Sequence, residues 1–165
     1  MLGLSHTTTY AIKALACLDH PNCANRHIRD IALCTGIPRS YLAKVFNALS
    51  RRGLIKAKRG YKGGISLARP ASQITLLQII EAIEGPDWIS PCLLAGEKCP
   101  PGFRCPTKAF WDKFKRDLVR LLEKTTLERI IAVRRAMEAT GELKHYPVFL
   151  QAKRRPGRPG LRRLL

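Results

Sequence analysis

The stretch "TGIPRSYLAKVFNALSRRGL", residues 35–54, narrows the folds open to this chain more than any other. Leu42, Val45, Phe46 and Leu49 recur at i, i+3, i+4 and i+7, so a helix here buries one stripe. Its other face would carry Arg39, Ser40, Lys44, Asn47 and Arg51. Gly36 suits a left-handed turn and Pro38 the first position of the helix. Upstream, "NRHIRDIALC" reads as a shorter helix entering that turn. A short helix, a tight turn and a helix with a basic outer face form a helix-turn-helix pattern.

The next residues extend it. "GLIKAKRGYKGGISLARP" holds two short alternating stretches about a turn rich in Gly, Lys and Arg, the pattern of a β-hairpin wing. "TTTYAIKALACLDH" before the motif reads as an amphipathic helix ended by Pro21. "ITLLQIIEAIEG" after it reads as a helix with Thr75 and Gln78 at capping-box spacing and Gly85 as its stop. "TKAFWDKFKRDLVRLLEK", 18 residues or about 27 Å of helix, aligns Phe110, Phe114, Leu118, Leu121 and Leu122 on one face. Thr125 and Glu128 stand at capping-box spacing, which predicts a break near Thr125 and a shorter helix to about Ala139. The expected fold is mainly α with a small β wing: a winged helix-turn-helix domain plus a long dimerisation helix. The expected divisions are a winged helix over 1–85, a cysteine-rich loop over 86–106, dimerisation helices over 107–140 and a basic, disordered tail over 141–165.

Charge points to a partner. The chain has 30 Lys plus Arg against 12 Asp plus Glu, a formal charge of +18. Residues 1–70 carry +10, residues 71–150 carry +2 and residues 151–165 carry +6. One strongly basic domain and a basic tail imply a polyanion, and the motif makes it double-stranded DNA. On this reading Arg39, Ser40 and Tyr41 meet phosphate at the helix start, while Lys44 and Asn47, one turn apart, reach base edges. Lys58, Arg59 and Lys62 surround Gly60 in a wing that can approach a groove closely. The tail sequence "RRPGRPG" resembles a minor-groove hook around Gly157, Arg158 and Pro159 but lacks the arginine before the glycine, leaving non-specific phosphate attraction as its role.

No apolar run approaches membrane-spanning length, and the first residues lack the basic and apolar regions of a signal peptide, so a cytoplasmic protein without membrane attachment is expected. Paired carboxylates, a nucleophile beside a base and a phosphate-cradling loop are all missing from the pattern, which argues against an enzyme.

In a reducing compartment six cysteines are core residues, metal ligands or redox sensors rather than a disulfide framework. Cys17, beside Ala14 and Leu18, reads as a small core residue. Cys92, Cys99 and Cys105 are separated by six and five residues in a loop stiffened by prolines. Structural zinc sites favour closer pairs, whereas an iron-sulfur cluster accepts this wider spacing. A helix starting near Thr107 would favour thiolate at Cys105. A reversible disulfide or zinc are the other readings of the three thiols.

With these motifs in order, the chain resembles the Rrf family of winged-helix regulators. The resemblance runs over about residues 2–135 and is carried by "LSHTTTYAIKAL", "GIPRSYLAKVFNALSRRGLI", "RGYKGGISLAR", the three-cysteine loop and "AFWDKF". It implies a homodimer, crossing through the long helix, whose DNA binding follows the state of a 2Fe-2S or 4Fe-4S cluster held by Cys92, Cys99 and Cys105. The loop has one extra residue between Cys92 and Cys99 relative to the family. Lys108 and Thr9 occupy positions where relatives place a fourth ligand, and neither is a good iron ligand at neutral pH. His6 or a small exogenous ligand are the substitutes. Ala43 stands where relatives often carry a base-reading side chain, so no operator sequence transfers. The alternative function is a cluster-free winged-helix DNA-binding protein, constitutive or governed by a thiol-disulfide switch.

Overall fold

The computed structural model describes residues 4–18, 27–58, 60, 63–94 and 105–140. Cys23, Cys99, Arg59, Lys62 and the basic tail lie outside them. Among the described residues, six α-helices and one two-stranded sheet follow in the order α1 (His6–Cys17), α2 (Ile28–Thr35), α3 (Arg39–Arg51), β1 (Ile55–Lys58), β2 (Gly64–Leu67), α4 (Leu76–Glu84), α5 (Lys108–Lys124) and α6 (Leu127–Thr140). This is the expected helical architecture with a wing.

The turn between α2 and α3 forms for local reasons. Gly36 takes φ 71° and its N–H donates to the Ala32 carbonyl at 2.8 Å, a left-handed cap that L-residues with a Cβ resist. Thr35 turns inward and its hydroxyl donates to the Ile31 carbonyl at 2.6 Å. Pro38 is the cap preceding α3 rather than its first helical residue, a shift of one position that leaves its fixed φ useful. The α3 stripe is buried as expected, with Leu42, Val45, Phe46 and Leu49 at 0, 1, 4 and 0% exposure.

β1 and β2 pair antiparallel from Ile55 opposite Leu67 to Lys58 opposite Gly64. Ile55 and Ile65 face the core while Lys56 and Lys58 stay in solvent. The Thr75 and Gln78 capping box forms in full, and Arg69 donates to the Gln78 amide oxygen at 2.8 Å. The second expected box does not form. The Thr125 hydroxyl turns back to the Leu121 carbonyl at 2.7 Å, and it is Thr126 that accepts from the Arg129 N–H, at 3.4 Å. Thr126 is in place because it bridges Thr75: the Leu76 N–H donates to the Thr125 carbonyl at 2.8 Å and the Leu127 N–H to the Ile74 carbonyl at 2.7 Å. Tertiary pairing there overrides the local cap.

One apolar core holds α1, α2, α3, the wing and α4 together. Leu127 and Ile131 of α6 pack into it alongside Leu15, Ile31, Leu42 and Ile79. Burying each such leucine or isoleucine is worth roughly 1.5–3 kcal/mol, so this cluster dominates stability. Cys17 is fully buried in α1, as a small core residue should be. The last turn of α4 is fastened to the first turn of α1, where the Glu84 carboxylate accepts from the Ser5 and Thr8 hydroxyls and from the Ser5 N–H. Those bonds hold its carboxyl below the usual carboxylate range, the Ser5 hydroxyl contributing most.

The long helix α5 behaves differently. Over its 17 residues, about 25 Å, only Trp111 and Leu122 are buried. Leu122 therefore leaves the expected stripe and faces inward, while Phe110 and Leu121 remain 64% and 60% exposed. The open face of α5 is lined by Phe110, Phe114, Leu118 and Leu121.

Candidate functional site

Two surfaces bring the sequence-derived candidates together. The first is the outer face of α3. Arg39, Ser40, Tyr41, Lys44 and Asn47 are all exposed, opposite the buried stripe. Pro38 offers no capping side chain, so the first turn of α3 presents backbone N–H groups and a positive dipole end beside Arg39. The Tyr41 hydroxyl lies 3.3 Å from the Thr7 hydroxyl of α1, and its ring meets that of Tyr10 edge-on, centroids 5.5 Å apart. No local pattern encodes these contacts, because they join side chains from two helices. They fix the tyrosine at the start of α3.

Lys58 and Gly60 extend the basic face along the wing, both exposed. Gly60 takes φ 106° and accepts from the Gly63 N–H at 2.9 Å, and a Cβ at Gly60 would touch nothing. Glycine is needed there for its backbone angle, not for space. Arg59 and Lys62, the other wing candidates, lie outside the described residues.

The second surface is a cleft of about 270 Å³ at the start of α5, with Cys92 and Cys105 in its lining. The two described cysteines of the loop thus share one opening, Cys92 nearly buried and Cys105 half-exposed. The Thr107 hydroxyl, 3.1 Å from Sγ of Cys105, lowers the thiol pKa, and the Thr107 N–H adds to it. Thiolate, the form that binds metal and attacks oxidants, is favoured at Cys105. Cys99 lies outside the described residues, on the 12-residue segment joining Leu93 to Arg104. Among the described residues no three of His, Cys, Asp and Glu gather as a metal site.

The two positions expected to matter for a fourth ligand are otherwise engaged. Nζ of Lys108 forms an ion pair with the Asp112 carboxylate at 2.7 Å. The Thr9 hydroxyl donates to the Ser5 carbonyl along its own helix at 3.3 Å. His6 is exposed on α1, its ring 6.5 Å from that of Tyr10. The donor set still fits a cluster in its chemistry: two thiols at one cleft, one of them biased toward thiolate, with a third on the connecting segment.

Around the cleft the structure adds residues that sequence periodicity had not singled out. Nε1 of Trp111 donates to the Ser90 carbonyl at 3.0 Å. Nζ of Lys115 donates to the Pro91 carbonyl at 3.1 Å and lies 3.2 Å from Asp112. The Asp112 carboxyl, held below its usual range first by Lys108 and then by Lys115, bridges both cations. The spacing of Trp111 and Lys115, one helical turn apart, was the only available signal.

A helix-turn-helix with a β wing, a basic recognition face and no membrane-spanning helix among the described residues defines a winged-helix DNA-binding regulator. Residues 4–133 match the Rrf2 family, iron-dependent transcriptional regulators, and the chain belongs to that family. It is 30% identical over 114 residues to the HTH-type transcriptional regulator IscR of Photorhabdus laumondii, spanning 69% of each chain. Among solved structures it is similar to CymR, the global cysteine regulator of B. subtilis, at TM-score 0.65 and 26% identity over 81% of this chain and 98% of that one. It is also similar to T. potens IscR, at TM-score 0.60 and 27% identity over 84% and 90%. These relatives are transcriptional regulators, and this chain is a DNA-binding transcriptional regulator rather than an enzyme.

Proposed function

We propose that the protein is a homodimeric regulator whose DNA binding follows the state of an iron-sulfur cluster held by Cys92, Cys99 and Cys105. The observation that carries this reading is the shared cleft of Cys92 and Cys105 at the start of α5. When bound, the cluster would supply redox and ligand-exchange chemistry that small oxidants or nitric oxide can alter. The chain does the rest. Cys92 and Cys105 hold the group at the root of α5, whose open apolar face serves as the dimer contact, so a change in the loop alters the seat of the helix that spaces the two recognition helices.

On the DNA side, Arg39, Ser40 and Tyr41 contact phosphate, Lys44 and Asn47 read base edges, and Lys58, Arg59, Gly60 and Lys62 place the wing. In this scheme 1–85 binds DNA, 86–106 holds the cluster, 107–140 dimerises while α6 also completes the core, and the 141–165 tail adds charge. A cytoplasmic setting suits thiol ligands and DNA as partner.

The test is iron and acid-labile sulfide per chain in protein purified without oxygen, beside Cys99→Ala. Near-equal iron and sulfide in the parent, lost in the variant, is the expected result. Absence of both in the parent after reconstitution would leave a thiol switch or a cluster-free DNA-binding dimer as the better account.

A further inference from the structure

We propose that Trp111 and Lys115 are positioning residues for Cys92, fastening its loop to α5 so that one helix sets the separation of Cys92 and Cys105. The inference rests on the cluster reading for its purpose, though not for its geometry. Residues 85–94, which lead to and include Cys92, form no helix or strand, so nothing regular fixes their path. Two side chains of α5 do so instead, taking consecutive carbonyls: Trp111 takes that of Ser90 at 3.0 Å and Lys115 that of Pro91 at 3.1 Å. Trp111 and Lys115 are at i and i+4, so they project from one side of the helix.

Neither side chain is loose. Trp111 is 4% exposed and stacks on Phe114, ring centroids 5.4 Å apart and planes 14° from parallel. The Lys115 side chain is 23% exposed, and Asp112 holds its ammonium at 3.2 Å. Ser90 then closes the turn onto Cys92, its hydroxyl donating to the Cys92 carbonyl at 2.6 Å and accepting from the Cys92 N–H at 3.2 Å. At the other side of the cleft, Cys105 precedes α5 by three residues and is fixed by chain continuity and by Thr107. One rigid element thereby seats both thiols, and residues outside the ligand set that orient ligands commonly govern how well a metal is held.

The experiment uses Trp111→Phe, which keeps an aromatic ring but removes the N–H donor with the pyrrole half of the indole, Lys115→Met, which keeps the stem and removes the charge, the double variant, and Lys115→Arg as the conservative rescue. Metal-free, reduced protein is treated with a short bifunctional maleimide, and the Cys92–Cys105 product is quantified by peptide mass spectrometry. The parent is expected to give this product, the double variant to give several-fold less at unchanged helix content, and Lys115→Arg to retain most of it. In reconstituted protein the double variant should lose iron to a chelator about 10- to 100-fold faster than the parent. Absence of the product in the parent, equal yields in parent and double variant, or a yield that falls only where helix content falls would overturn the proposal. A parent that cross-links as expected but takes up no iron would sink the cluster reading alone and leave the positioning geometry standing.

Discussion

Leu121→Glu is expected to convert the proposed dimer to a monomer and to weaken binding to a two-fold symmetric operator by about two to four orders of magnitude, the usual gain from joining two binding modules. The residue is 60% exposed in the single chain, and with Phe110, Phe114 and Leu118 it makes an apolar face that nothing in the described chain covers. A helix of 17 residues with only Trp111 and Leu122 turned inward has more apolar surface than its own fold uses. A carboxylate at the centre of a dimer contact would be desolvated without a partner, a heavy penalty in a dry interface. In the monomer the same carboxylate stands in water, so stability should change by no more than about 0.5 kcal/mol. Sedimentation equilibrium and fluorescence anisotropy on the same preparation separate the two effects. A dimer that survives both Leu121→Glu and Phe110→Glu would place the contact elsewhere.

The second large effect is expected on α3. Lys44→Ala should reduce specific affinity by about 1–3 kcal/mol, or roughly 5- to 150-fold, and relax preference at one base position. Lys44 is exposed one helical turn from Asn47 and on the side away from Leu42, Val45 and Phe46, so its loss removes no packing. Arg39→Ala should instead weaken all sequences alike and lower the salt dependence by about one phosphate equivalent, because its place beside the α3 N-terminus suits backbone contact. Binding to DNA selected from a random pool, measured at several salt concentrations, distinguishes them. Identical salt slopes and unaltered sequence preference in both variants would remove α3 as the reading helix.

Much of this fold was legible because its determinants are local. The α3 stripe, the left-handed Gly36 turn and the Thr75 and Gln78 capping box depend on residues within two turns of each other, where periodicity and cap chemistry act directly. Features set by distant contacts were not. The Thr125 cap gives way to Thr126 because a bridge to Thr75 dictates the backbone there. Leu122 fits the apolar stripe by spacing yet is buried, with 8% exposed, since the helix has two apolar sides and only packing tells which is used. Glu84 meets Ser5 and Thr8 across more than 70 residues, and Trp111 meets Ser90 across 21, separations that no local pattern encodes.

At the candidate site, cysteine spacing pointed to the proposed ligands and charge to the proposed recognition face. What it could not give was the support beneath them. Asp112 and Lys115, at i and i+3 on α5, form the clasp under the Pro91 carbonyl, an arrangement that no sequence pattern picks out. Lys108 likewise reads as a departure from the ligand pattern of related proteins, and its pairing with Asp112 gives that departure a structural use.

The proposed coupling of cluster state to DNA binding is open to a single titration. Operator affinity should be measured without oxygen on a single preparation, first with the cluster in place and then after its removal by a chelator, at fixed salt. The two affinities should differ by about 5- to 150-fold, the range of typical coupling between sites, and Cys99→Ala should show no difference. Equal affinities in a parent protein proven to hold and then lose its cluster would contradict it.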